Sequence, residues 1–71
     1  MKITNWIKPY NINYWKNTRT RDEIGIRKVD NLYVAYVKIY SEMFRRIDIS
    51  KRLQTLINAQ NDAIYYMKSN P

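Results

Sequence analysis

Residues 24–49, IGIRKVDNLYVAYVKIYSEMFRRIDI, carry the alternation that decides the fold. The middle run, LYVAYVKIY at 32–40, is apolar or aromatic everywhere except Lys38, and it is rich in the residue types that suit a pleated surface. Asp30-Asn31 stands between two such runs. Both residue types tolerate a positive φ, so a two-residue hairpin turn is the economical connection. That turn sets Val29 opposite Leu32 and, stepwise, Lys28 opposite Tyr33, Arg27 opposite Val34, Ile26 opposite Ala35, Gly25 opposite Tyr36 and Ile24 opposite Val37. Alternate residues share a face, which gathers Ile24, Ile26, Ala35, Val37 and Ile39 on one side as a core surface. Arg27, Val34, Tyr36, Lys38 and Tyr40 fall on the other. A three-residue connection at 41–43 brings FRRIDI back as a third strand, with Ile47 and Ile49 on the core side and Phe44 and Arg46 opposite. A two-residue loop would bury Arg46, and an unpaired buried charge is costly.

Downstream, residues 50–68, SKRLQTLINAQNDAIYYMK, change to a period of three and four. Leu53, Leu56, Ile57, Gln60, Ile64 and Met67 form one stripe, which predicts an amphipathic helix laid on the core side of the sheet. Asp48 or Ser50 can cap its start, Lys68 suits its negative end, and Asn70-Pro71 cannot continue it. Tyr65 and Tyr66 sit at the margin of the stripe, where one of them is expected to be exposed.

Upstream, residues 1–15 are aromatic-rich and ambiguous. Ile3, Ile7, Tyr10 and Tyr14 have helical spacing, whereas Tyr10, Ile12 and Tyr14 alternate with Asn11 and Asn13 as a strand would. Pro9 argues against one continuous helix, so an extended segment or an extra edge strand is expected, which must bury Trp6 and Trp15 against something. Residues 16–23, KNTRTRDE, contain nothing apolar and read as a mobile basic loop. The fold class expected is therefore α+β over 1–71 as one small domain: a three-stranded antiparallel sheet, with that N-terminal edge strand as an addition, packed on one C-terminal helix.

Composition narrows the function. A chain of 71 residues removes only about 60% of its unfolded surface from water. With no cysteine and no histidine, the common staples of a small fold are missing, and a homodimer is a cheap way to bury more apolar surface. Six scattered carboxylates leave no general acid–base system and no metal cage, so no enzyme, metal or cofactor is expected. Thirteen Lys plus Arg give a formal charge of +7, spread over both halves of the chain, and polyanions are the natural partners. No apolar run is long enough for a signal peptide or a membrane span, so a cytoplasmic protein without membrane contact is expected. Abundant Ile, Asn, Lys and Tyr fit AT-rich coding DNA, as in phages or plasmids of low-GC bacteria.

Three groups of residues are candidates for binding. The second sheet face offers Arg27, Tyr36, Lys38, Tyr40, Phe44 and Arg46, cations interleaved with aromatics as nucleic-acid recognition requires. Three occupants compete for it: nucleic acid, a protein partner or second copy of the chain, and the chain's own first fifteen residues. The loop with Lys16, Arg19 and Arg21, followed by Arg27 and Lys28, can bind phosphates or reach into a minor groove, although such loops are usually just solvated. Arg45 and Arg46 with Lys51 and Arg52 crowd the expected start of the helix, where cations oppose the dipole unless an anion or the carboxylates Glu42 and Asp48 neutralise them.

Three strands followed by a helix over residues 24–67, with the aromatic middle strand LYVAYVKIY and basic outward positions, resembles the sheet-reading DNA-binding modules of some tyrosine integrases and of plant AP2 factors. The glycine-rich turns of that group are absent. The resemblance implies DNA binding through the sheet, with DNA favoured over RNA. The expected function is thus that of a small nucleic-acid-binding accessory protein of phage or plasmid origin. The alternative is a phage-type inhibitor or adaptor whose charge steers it to an acidic host protein.

Overall fold

The hairpin forms with the register its residues dictate. In the computed structural model, which describes residues 5–71, β3 (Glu23–Val29) pairs antiparallel with β4 (Leu32–Ile39), with Val29 opposite Leu32 and Ile24 opposite Val37. Of the two turn residues, Asp30 takes the left-handed conformation, at φ 57°. β5 (Arg45–Asp48) then returns along β4 with Ile47 opposite Val37 and Arg46 opposite Lys38, so Arg46 points away from the core as expected. The connection is a 3₁₀ turn (Tyr40–Glu42) followed by Met43 and Phe44, both left-handed.

The sheet has five strands, not three. The expected basic loop is an ordered strand and turn. β2 (Tyr14–Asn17) pairs with β3, and β1 (Trp6–Ile7) pairs with β2, giving the order β1-β2-β3-β4-β5. The reason lies on the core side. Trp15 stands opposite Ile24 and Trp6 opposite Asn17, so pairing at the free edge of β3 brings both indoles to the apolar surface. Between β2 and β3 the buried Asn17 accepts backbone N–H bonds from Arg19 and Thr20 at 2.8 and 2.9 Å, a local turn that orders residues 18–22 without any apolar side chain. The expectation for residues 1–4 lies outside the described residues.

The helix begins later than its periodicity suggests. α1 spans Leu56–Ser69, capped by Thr55, whose side chain accepts from the Asn58 N–H. Residues 49–54 instead spend their backbone on β4. Ile49 and Ser50 donate to the Ala35 carbonyl, the Ser50 hydroxyl accepts from the Ala35 N–H at 2.9 Å, and Gln54 and Tyr33 exchange both backbone bonds. Ser50 is thus an anchor on the strand rather than a helix cap. α1 packs over β4 and β3 through Ala63 and Met67, fully buried with Ile24, Ala35 and Val37 and with Trp6 closing one side, and Ala59 is fully buried as well. The stripe is rotated from the one read on large residues alone: Ile57 is 68% exposed and Leu53 precedes the helix. Two alanines let helix and sheet approach closely, and the larger side chains fill the margins.

Candidate functional site

Antiparallel pairing carries side chains in rows across the sheet face that α1 leaves open. One row runs Tyr14, Gly25, Tyr36, Asp48; the next runs Lys16, Glu23, Lys38, Arg46. Rows on one face lie two residues, roughly 6.6 Å, apart, and neighbouring strands about 4.8 Å apart. Beyond the charged row, at the end of β4, a second aromatic group gathers. The Tyr40 and Phe44 rings meet edge to face at 5.2 Å, and the Arg21 guanidinium lies 5.4 Å from the Tyr40 ring and donates to its hydroxyl. A cationic row is therefore flanked by aromatic rings on both sides.

Gly25 shapes the first row. It is the sole glycine of the chain, and a Cβ built on it would stand 2.6 Å from Tyr36 Cζ. The Tyr36 ring occupies that space, lying down across β3 toward Tyr14. Arg46 approaches the same ring, with its guanidinium 5.9 Å from the centroid, and Tyr10 leans on Tyr14 at 5.9 Å. Burial, then the adjacent Glu23 carboxylate, push the Tyr14 hydroxyl pKa up to about 12, so this ring stays neutral through the physiological range. Arg27 reaches Asp48 at 3.6 Å, while its Nε is buried with no hydrogen-bond partner among the described residues.

Of the residues singled out from the sequence, the structure brings Arg21, Arg27, Tyr36, Lys38, Tyr40 and Arg46 to this face and its edge. The other four lie elsewhere. Arg19 donates to the carbonyl of Pro71 at 2.6 Å, and Arg45 sits on the opposite face, beside Ile39, in an ion pair with Glu42 at 2.8 Å. Lys51 and Arg52 occupy the irregular stretch before α1, and Lys51 lines a shallow groove of about 310 Å³ with Asp62, Tyr65 and Tyr66. The expected cationic cluster at the helix start is therefore dispersed, because α1 begins at Leu56 rather than at residue 50.

Tyr14 belongs to the face and was not singled out from the sequence, whereas Lys16, expected on a mobile basic loop, is a strand residue of the same face. The signal that could find Tyr14 is its alternation, with Tyr10 and Ile12, between asparagines. The first fifteen residues do not take up the second face: among those described, β1 and β2 extend the sheet sideways, and Trp6 and Trp15 point to the helix side. Comparison with protein-family models, with curated proteins and with solved structures returns no match.

Proposed function

We propose that this is a small nucleic-acid-binding accessory protein, of phage or plasmid type and acting in the cytoplasm, that binds through the open face of the sheet. One observation carries the reading: Lys16, Lys38 and Arg46 stand in one row across β2, β4 and β5, with Glu23 the sole carboxylate among them and tyrosines on either side. A polyanion with planar bases satisfies both halves of that pattern. The +7 charge of the whole chain adds long-range attraction, and DNA is the expected form. Binding by three or four cations gives an affinity that falls with log salt at a slope of roughly −2 to −4. Titration of labelled single- and double-stranded DNA at several salt concentrations tests this. Absence of binding to either at micromolar protein overturns it.

A second reading rests on the outer side of α1, where Ile57 is 68% exposed and Tyr65, 66% exposed, lines the groove with Lys51. Exposed aromatic and aliphatic residues beside cations suit an acidic protein partner, as for an inhibitor or adaptor of a host protein. A partner retained from a nuclease-treated lysate by the wild type and lost by Ile57→Asp supports this reading over the first.

A further inference from the structure

The geometry points to a single strand, rather than a duplex, as the nucleic acid this face accepts, with bases stacked on Tyr14 and Tyr36; the inference rests on the nucleic-acid reading above. The first reason is ring orientation. Tyr36 lies across Gly25 instead of standing upright, so it presents its ring along the sheet, in the row that ends at Tyr14 on the far side of Gly25. In a stacked duplex the base faces are hidden, and only groove edges and phosphates reach a protein. A flat ring therefore has its best partner in an unstacked base.

The second reason is the spacing of charge. Lys16, Lys38 and Arg46 run perpendicular to the strands, and from β2 to β5 they cover roughly 14 Å, three strand spacings. A strand crossing the sheet along this row has room for on the order of three nucleotides. Its phosphates meet the cations, and its bases turn aside onto Tyr14 and Tyr36 on one flank or Tyr40 and Phe44 on the other. Of these three cations, Arg46 is planar and lies beside the Tyr36 ring, at the level where a base would lie.

The test compares short oligothymidylate, an RNA strand and a duplex of matched length by fluorescence anisotropy at low salt. Both single strands are expected to bind about tenfold or more tightly than the duplex. Replacing Tyr36 or Tyr14 by leucine is expected to weaken single-strand binding roughly five- to hundredfold, the range of one lost base stack, and Tyr36→Phe to retain it. Circular dichroism confirms that each variant folds. The wild-type ratio and the Phe variant keep the test decisive if a leucine variant does not fold. Tighter duplex binding that is indifferent to both tyrosines overturns the single-strand inference and leaves the nucleic-acid reading standing. Failure to bind any of the three removes both.

Discussion

Met43 and Phe44 hold φ at 58° and 60°, two consecutive left-handed residues with side chains in a chain whose one glycine stands elsewhere. Such positions cost on the order of 1 kcal/mol each for a residue with a Cβ. Met43 is 93% exposed, so its side chain recovers little of that cost. Met43→Gly is therefore expected to raise stability by about 0.5–1 kcal/mol in urea unfolding, the relief of strain being partly offset by the larger entropy of the unfolded chain. Gly25 presents the opposite case. It has ordinary strand φ, so Gly25→Ala meets no backbone strain, but the new Cβ lifts the Tyr36 ring off the sheet. Because a surface ring can swing where backbone cannot, the expected result is a small change in Tm with a clear loss of nucleic-acid affinity. Tyr14 connects a residue to pH. Its hydroxyl pKa rises from 10.0 to about 12 on folding, so the folded state holds this proton more tightly. That contribution is complete below pH 10 and is lost as pH climbs toward 12. Unfolding midpoints measured across this window should fall more steeply for the wild type than for Tyr14→Phe.

Among the elements, the stretch between β5 and α1 has the most to lose from one atom. Ser50 is 4% exposed, and its hydroxyl accepts both the Ala35 N–H and the Gln54 side-chain amide. Ser50→Ala leaves that buried N–H without its partner, at a cost of about 1–3 kcal/mol. Were Ser50 a helix cap, the loss would be helical content. Here strand pairing at Ala35 and Gln54 should loosen first, which amide hydrogen exchange at Tyr33 and Ala35 reads directly. Thr55→Ala is the true cap deletion and should cost about 1 kcal/mol. The contrast marks what the sequence discloses. The β3–β4 register was legible because a two-residue turn leaves no freedom, and the side taken by Arg46 on β5 followed from the cost of burying it, although the connection spans residues 40–44 rather than 41–43. The start of α1 was not legible, because backbone bonds from residues 49–54 to β4 are tertiary and leave no period. The helix face was misread for a related reason. Ala59 and Ala63 are buried while Ile57 is exposed, and hydrophobic patterning gives small residues little weight. On the open face, alternation disclosed Arg27, Tyr36, Lys38 and Arg46, while Tyr14 was passed over and Lys16 was assigned to a loop, because the partner of β2 is chosen only by Trp15 meeting Ile24.

For the molecule as a whole, the sheet divides its tryptophans from Tyr14 and Tyr36 by face. Both indoles lie on the helix side: Trp6 is 8% exposed and donates from Nε1 to the Asn70 carbonyl at 2.8 Å, and Trp15 packs on the core with Lys8 over its ring. Tyr14 and Tyr36 lie on the open face. The first and last described parts of the chain are thereby joined, since Arg19 also donates to Pro71. Tryptophan emission should consequently be blue-shifted and slow to quench in the free protein, and it should shift little with nucleic acid added, because the face proposed to bind it lies across the sheet from both rings. Deleting Asn70 and Pro71 removes the acceptor of Trp6 and that of Arg19, exposes the indole edge, and should red-shift emission while costing about 1–2 kcal/mol. The open face is untouched by that deletion, so nucleic-acid affinity measured well below the melting temperature should stay within about twofold of the full chain. A ligand-induced tryptophan shift as large as that of the deletion would place the binding surface on the helix side, against the exposed flank of α1 at Ile57 and Tyr65, and would transfer the function from the sheet to the helix.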